Sequence, residues 1–454
     1  MSIELLSLLK KYDVATPRYT SYPTVPFWKN EGLNVETWKS SILHRFEKEN
    51  AELCIYIHLP FCEELCTYCA CNKRITKKHS VETPYIDSVL KEWNMYFALF
   101  PKKPIIREIH LGGGTPTFFS PENLQTLIRG ITDNCTIADT HEFSVEVHPN
   151  YTSKAHLQAL KEVGFNRISL GVQDFDPIVQ FIINRIQSFE QTKQVIDWAR
   201  ELNYNSVNID LIYGLPKQTL QSIDFTFEKV SLLMPDRVAF YSYAHVPWKS
   251  KGQRRYTDDD VPKAEEKINM YNYGNDILHK MGFVSIGMDH FSLPSDTLWQ
   301  AYTKGNLHRN FMGYTTTNHK LVLGLGVSSI SDTWNVFAQN EKEVEAYQQK
   351  IEKGELPLVN GHILTNKDEI IRRYILNLMC TDKVELNNSD FEPEHWDNMR
   401  KQFNNLANDE LIEVNENEII IKAKGKLFIR NICAVFDEYL FKSKNEKNLF
   451  SKAI

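Results

Sequence analysis

The sequence predicts an α/β protein: a partial (β/α)6 barrel over residues 51–360, an N-terminal arm (1–50) before it, and a smaller, mostly helical C-terminal domain (361–454) after it. Three observations carry that expectation. From residue 53 to about 244, short apolar, β-branched runs alternate with longer segments of helical period, as βα units around a parallel sheet require. From roughly 360 onward the pattern changes to helices with one hairpin-like stretch, LIEVNENEIIIKAKGKLFI (411–429). The chain is also long enough, at 454 residues with 42% hydrophobic, to bury a core of that size.

Taken in order, residues 1–50, with RYTSYPTVPFW, read as an extended arm that must pack on something. The barrel strands are LCIYIHL (53–59), IIREIHL (105–111), EFSVEVH (142–148), NRISLGV (166–172), SVNIDLI (206–212) and RVAFYSY (237–243), each followed by a turn and a helix-like segment. One helix start is legible residue by residue: Ser120 supplies a capping hydroxyl, Pro121 takes the first helical position, and ENLQTLIRGI continues with helical spacing. The charged, aperiodic SKGQRRYTDDDVP (250–262) reads as a surface excursion leading into a helix near 261–281. FVSIGMDHF (283–291) and LVLGLGVSSIS (321–331) are two further strand candidates, which extend the sheet or close one face of it.

Composition excludes several classes of function. With 52 basic and 58 acidic residues the formal charge is −6, so a polyanionic partner would need a local basic patch, and nucleic acid is not expected as a partner. No run of about 20 apolar residues occurs and the first residues are interrupted by charge, so neither a membrane span nor a signal peptide is expected. Eight cysteines, four of them between Cys62 and Cys71, do not form an extracellular disulfide pattern, and a reducing, cytoplasmic location is expected. Cys54, Cys135, Cys380 and Cys433 stand singly in apolar surroundings, where a thiol serves as a small hydrophobe.

The chemistry gathers on one loop. Directly after the first strand, HLPFCEELCTYCACNK (58–73) carries Cys62, Cys66 and Cys69 in a CxxxCxxC array. Three thiolates on so short a loop can converge on one metal centre. A cubane iron–sulfur cluster normally takes four cysteines, so three would leave one iron open and reactive. Structural zinc wants four closed ligands, and the second pair is missing. A thioredoxin-like pair would use Cys66 and Cys69 but leave Cys62 idle. The spacing and the strand-to-loop context favour the cluster over both.

Other candidates lie at the ends of the remaining strands, where parallel-sheet enzymes collect their sites. The second strand runs into Gly112-Gly113-Gly114-Thr115-Pro116, where missing β-carbons permit close approach of the backbone to a ligand, or simply a tight turn. Glu146, Gln173, Asp174 and Asp210 are polar where a purely apolar strand would pack better, and Arg185 follows the fourth strand. Together they outline a polar pocket facing the cysteine loop.

These motifs resemble the radical S-adenosylmethionine superfamily. Within it, RYTSYPT (18–24), HLGGGTPT (110–117), GFNRISLGVQDF (164–175), NIDLIYGLPKQT (208–219), GMDHF (287–291), LHRNFMGYTT (307–316) and LFIRNIC (427–433) resemble the oxygen-independent coproporphyrinogen III oxidase family, over nearly the whole chain. The resemblance implies a 4Fe-4S cluster on Cys62, Cys66 and Cys69, and two molecules of S-adenosylmethionine. Tyr56, Gly113, Glu146 and Arg185 match positions for the cluster-bound molecule, with Tyr56 beside the cluster. Gly114, Thr115, Gln173, Asp210, Ala244 and Ile330 match positions for the second. Cys71 matches a further cysteine that is not a cluster ligand and, with Tyr56, is the candidate catalytic residue. The implied reaction is oxidative decarboxylation of two propionates of coproporphyrinogen III to vinyl groups, giving protoporphyrinogen IX. It begins with a hydrogen atom taken by a 5′-deoxyadenosyl radical, because acid–base groups cannot activate that carbon.

A low-potential donor such as flavodoxin or ferredoxin, and a monomeric enzyme, are expected with it. Arg309 and Arg18 are candidates to pair the propionates, or else ordinary salt-bridge residues. Two departures from the family pattern stand out: His148 in EVHP, where Asp or Asn is expected, and the strongly basic YAHVPWKSKGQRRY (243–256). A haem-binding relative that keeps the cluster without decarboxylating is the alternative, against which Cys71, the arm and the long C-terminal domain weigh. A nucleic-acid-modifying radical enzyme is disfavoured by the acidic balance.

Overall fold

Strand-forming runs of apolar and polar residues in strict alternation give each barrel strand two different faces, and this organises the molecule. In the computed structural model, which describes residues 3–248, 250–443 and 450, six strands form a continuous parallel array. They are β1 (Glu52–Leu59), β2 (Ile105–Gly113), β3 (Thr136–Val147), β4 (Arg167–Gln173), β5 (Ser206–Tyr213) and β6 (Arg237–Ser242). One face of each, including Leu53, Ile55 and Ile57 of β1, Phe143 and Val145 of β3, and Ile209 and Leu211 of β5, packs into the large hydrophobic core. The opposite face carries His110, Ser144, Glu146, Ser169, Asn208, Asp210 and Tyr241, which line cavities inside the barrel. Register places His110 beside Ser144, Glu146 beside Ser169 and Ser169 beside Asn208, so the polar face is continuous across strands.

The two further strand candidates each divide in two. Residues 283–291 form β7 (Val284–Gly287) and β8 (His290–Ser292), antiparallel to each other, with Met288 between them at φ 44. Residues 321–331 give β9 (Val322–Leu325), parallel to β1, and β10 (Ile330–Asp332), which turns back after Gly326 at φ +88. Two more strands, β11 (Val336–Asn340) and β12 (Leu358–Ile363), complete a twelve-stranded sheet in the order β12-β11-β10-β9-β1-β2-β3-β4-β5-β6-β8-β7. The additions therefore extend both edges of the barrel sheet.

The arm is not extended throughout, contrary to the sequence expectation. It contains α1 (Ile3–Tyr12) and α2 (Val35–Lys48), the second capped by Asn34, whose side chain accepts from the Thr37 N–H at 2.9 Å. α2 buries Trp38, Ile42 and Phe46 in the large core, and the Trp38 indole N–H donates to the Tyr96 hydroxyl at 3.2 Å. In the C-terminal part, the hairpin closes earlier than 411–429 suggests: its strands are Ile412–Asn415 and Glu418–Ile421, and Ala423–Phe428 coils into a 3-10 turn. The chain there lies against Leu411, where even the β-carbon of an alanine at Gly425 would sit 1.9 Å from the Leu411 carbonyl oxygen. This part has its own core around Leu378, Met399, Phe428 and Ile432, which also takes in Tyr19 and Tyr22 of the arm and Leu298 and Tyr314. Nor is 250–262 wholly a surface excursion, because Gln253 is 1% exposed and donates to the carbonyls of Tyr68 and Ala244. The expected helix follows at Ala264–Lys280.

One buried carboxyl ties the barrel to its edge strands. Glu92 is fully buried and accepts from the Gly326 N–H (2.8 Å), the Asn340 amide (2.6 Å) and the Tyr347 hydroxyl (2.7 Å). Burial outweighs these donors and pushes its pKa up to about 7. The folded state therefore holds this proton more tightly than the unfolded chain, and the stabilisation is present at low pH and lost as pH rises through 7. Urea unfolding of wild type and Glu92→Gln across pH 4.5–7.5 should diverge by on the order of 3 kcal/mol, wild type losing the more. Parallel pH profiles would contradict this.

Candidate functional site

The cysteine loop leaves the C-terminal end of β1, and its backbone is held from both sides. Arg74 N–H donates to the Pro60 carbonyl at 2.8 Å and Thr76 N–H to that of Cys62 at 2.9 Å, while Thr67 N–H reaches the Ile183 carbonyl at 2.9 Å. Cys62, Cys66 and Cys69 are half-buried and all line one cavity of about 310 Å³. The same cavity is walled by Gly113, Gly114, Thr115, Glu146, Gln173, Arg185 and Asp210. Seven candidates drawn from four other strand ends thus meet the three thiols in one place.

Each has a local reason to be there. Gly113 has φ +112, and a β-carbon on it would lie 2.7 Å from the His58 ring; one on Gly114 would strike the Pro60 backbone at 2.7 Å. The glycines therefore let β2 pass tightly under the loop. The Thr115 hydroxyl donates to the Cys62 sulfur at 3.4 Å, and Arg185 reaches the Cys66 sulfur at 3.5 Å while its Nε donates to the Gly171 carbonyl at 3.1 Å. Arg185 is a buried cation, and its charge is among the causes that lower the proton affinity of Cys69, whereas burial raises that of Cys62. Cys71, exposed to the cavity, lies against Cys69, whose proton affinity falls as that of Cys71 rises.

The two carboxylates are set apart by their surroundings. Burial would raise Glu146, but His110 at 3.1 Å and the Gly113 N–H at 3.3 Å hold it below the ordinary carboxylate range. Asp210, bonded to the Asn208 amide (2.8 Å) and the Ser169 hydroxyl (3.2 Å), is pushed up to about 7 by burial and then by the charge of Glu146. One is thus an anion ready to accept hydrogen bonds, and the other a proton holder near neutral pH.

A second cavity of about 320 Å³ adjoins the first through Cys71, Gly113 and Glu146 and is lined by Tyr56, His58, Phe311, Met312 and Ile330. The Tyr56 hydroxyl lies 3.1 Å from His58 Nδ1, and its ring stacks on His110 at 5.9 Å. Tyr56 and Ile330 thus share this cavity, whereas Gly114, Thr115, Gln173 and Asp210 share the thiol cavity; the walls do not divide along the two sets drawn from sequence. Ala244 lines neither cavity, and its carbonyl accepts from Gln253 at 3.3 Å.

The two substrate candidates differ. Arg18 is engaged, with Asp289 at 3.1 Å and the Ser242 carbonyl at 3.1 Å. Arg309, on the hairpin His308–Asn310/Gly313–Thr315, is 6% exposed and stacks over Tyr314 at 4.7 Å. Its Nε and Nη1 are buried without a hydrogen-bond partner among the described residues. An unpaired buried guanidinium is costly, and a carboxylate is the group that would relieve it.

The comparisons agree with this arrangement. The family model of the radical SAM superfamily matches residues 56–230, which span the cysteine loop and β2 to β5. Curated relatives named oxygen-independent coproporphyrinogen III oxidase are 38% identical over 95% of this chain and 95% of theirs in Pseudomonas aeruginosa, and 38% identical over 99% and 98% in Escherichia coli. The chain belongs to the oxygen-independent coproporphyrinogen III oxidase family. A solved coproporphyrinogen III oxidase from Escherichia coli, described as a radical SAM enzyme, superimposes with a TM-score of 0.87 at 36% identity, covering 96% of this chain and 99% of that one.

Within this oxidase family fold, several cavity residues escaped the sequence reading: His58, His110, Ser169, Asn208, Tyr241 and the Asn310–Met312 turn. A usable signal was present. Ser144/Glu146, Ser169/Gly171 and Asn208/Asp210 are spaced by two within apolar strands, which puts each pair on the face away from the core. His148, the departure in EVHP, lines the thiol cavity, and its ring lies 4.8 Å from that of Tyr151. No helix among the described residues is long and apolar enough to cross a membrane.

Proposed function

We propose that the two adjoining cavities perform the oxygen-independent oxidative decarboxylation of coproporphyrinogen III to protoporphyrinogen IX. The observation that carries this is the meeting of Cys62, Cys66 and Cys69 with Gly113, Glu146, Arg185 and Asp210 in one cavity, in a chain that is an oxidase family member over nearly its full length. A radical SAM enzyme works with a 4Fe-4S cluster and S-adenosylmethionine, which when bound supply the 5′-deoxyadenosyl radical that removes hydrogen from the propionate β-carbon. The residues fit such a group: three half-buried thiols on a braced loop, a buried Arg185 donating toward the Cys66 sulfur, and no fourth cysteine ligand in the CxxxCxxC array.

In this reading Cys62, Cys66 and Cys69 are the metal ligands. Glu146, held as an anion, accepts from the ammonium group of S-adenosylmethionine, and Gly113 and Gly114 let the backbone approach its methionine end. Gln173, Thr115 and Asp210 line the rest of that wall. Two molecules of S-adenosylmethionine are supported by two cavities of similar size that share Cys71, Gly113 and Glu146. Cys71 lines both cavities and Tyr56 the second, the side from which the substrate propionate would arrive. Arg309 supplies a cation for a second propionate, while Arg18, already bonded to Asp289, steadies the wall instead. The enzyme works as a cytoplasmic monomer with a low-potential one-electron donor, and its eight free cysteines suit a reducing compartment.

Anaerobic reconstitution with iron and sulfide, followed by S-adenosylmethionine, reductant and coproporphyrinogen III, tests the whole reading. Deoxyadenosine and protoporphyrinogen should appear together. Deoxyadenosine without vinyl product would refute the substrate.

A further inference from the structure

The cluster loop does not end in the cavity; its outer side is open to solvent and is continuous with an apolar face. On the short helix α3 (Pro177–Ile182), Val179 packs inward with Ile183 and Tyr68 of the loop, whereas Ile178 and Phe181, three positions apart and so on one side, are 65% and 62% exposed. Ile186, 65% exposed, and Leu65, 38% exposed, continue the patch. The patch is fastened to the ligand loop: Asn184 donates to the Leu65 carbonyl at 2.9 Å, and the Thr67 hydroxyl to that of Ile182 at 3.2 Å. Leu65 is the immediate neighbour of Cys66. Exposed apolar side chains grouped in this way mark an interaction site.

The basic segment that departs from the family pattern forms the rim of the same face. The Ser250 hydroxyl donates to the Cys69 carbonyl at 3.1 Å and the Gln253 amide to that of Tyr68 at 2.9 Å, so the segment is clipped to the ligand loop itself. The guanidinium of Arg255 lies over the Phe181 ring at 5.6 Å. Arg254 and Lys251 beside it are exposed, and neither pairs with a carboxylate among the described residues. The acidic groups nearest in the chain are Glu63 and Glu64 on the loop and Asp258, Asp259 and Asp260 beyond Tyr256; Glu63 lies 3.7 Å from His79, Asp260 is held by Lys217 at 2.7 Å and Asp258 lies 3.5 Å from His245. A chain of net charge −6 thus shows cations where the cysteine loop meets solvent.

We propose that this face is the docking site for a small, acidic one-electron carrier protein. The inference rests on the reading that Cys62, Cys66 and Cys69 hold the cluster. The carrier is oxidised by one electron and the cluster reduced by one, with no bond made or broken. A small apolar centre with a basic rim suits such a partner: charge steers a brief encounter, and little area need be buried.

The test uses the reconstituted holoenzyme with a purified acidic flavodoxin. Titration gives the Kd across a range of salt, and stopped-flow bleaching of the cluster gives the reduction rate. Arg254→Glu/Arg255→Glu should weaken Kd by about tenfold at low salt and flatten its salt dependence. Phe181→Ser should weaken it by a similar factor and leave the salt dependence in place. Both variants should be bleached by dithionite at the wild-type rate. Carrier affinity within about twofold of wild type in both variants overturns the docking face while the cluster stands. A wild-type chain that takes up no cluster refutes the cluster reading itself. Self-association that Phe181→Ser abolishes, with flavodoxin binding unchanged, gives the face to a second copy and also overturns the proposal.

Discussion

Replacing any one of Cys62, Cys66 and Cys69 by alanine should lower iron uptake well below about four per chain and reduce deoxyadenosine release by at least about 10³, near 4 kcal/mol in barrier. The thiols are half-buried and lie outside the described hydrophobic cores, so the fold itself should survive. Thermal unfolding of the iron-free variants should match iron-free wild type within a few degrees, which separates loss of ligand from loss of structure. Full turnover with two thiols would contradict the ligand assignment. The same substitution at Cys71 should leave iron uptake unchanged and depress only vinyl formation, since Cys71 faces both cavities and is not counted among the ligands. Iron loss in that variant would make Cys71 a ligand.

Arg309→Met should separate stability from function in opposite directions. Its Nε and Nη1 are buried without hydrogen-bond partners among the described residues, so a methionine of similar length removes a poorly compensated charge and should stabilise the substrate-free protein by about 1–4 kcal/mol. The same change removes the cation available to a propionate, a loss of about 1.5–3 kcal/mol, and should raise the Michaelis constant roughly 10- to 100-fold. Denaturant melts and steady-state kinetics check the two arms. Arg309→Lys, which keeps the charge without the planar fork, should recover only part of the affinity. Destabilisation together with an unchanged Michaelis constant would make Arg309 a structural residue.

How much of this was legible in the sequence depended on whether a signal was local. The six barrel strands were, because β-branched runs, turns and helical periods each fall within about ten residues. The cysteine array was, because its spacing alone gathers three thiols. The arm's helices were not: α2 gains its stability by burying Trp38, Ile42 and Phe46 against residues far along the chain, and the conspicuous RYTSYPT string drew the reading toward an extended segment. The split strands at 283–291 and 321–331 turn on single residues, Met288 and Gly326, that an apolar run conceals. Within the site, glycines and charged groups stood out, whereas His58, His110 and Asn208 did not, because a polar residue in a strand gains meaning only once the inward face is known. Arg18 and Arg309 looked alike as letters. Only the placement of Asp289 beside Arg18, and of no ion-pairing carboxylate beside Arg309 among the described residues, tells them apart.

The core that joins the arm to the C-terminal part has a consequence for how the enzyme comes into being. The Tyr19 hydroxyl donates to Asp437 across 418 residues of chain, and Arg430 Nε donates to the Pro17 carbonyl. During synthesis the arm emerges well before Arg430 and Asp437, so the six barrel strands can pair while Tyr19 and Tyr22 still lack these neighbours. Tyr314, which lies beneath Arg309, belongs to that late core. The core under Arg309 therefore closes only when Leu378, Phe428 and Ile432, all later in the chain than the six barrel strands, have joined it.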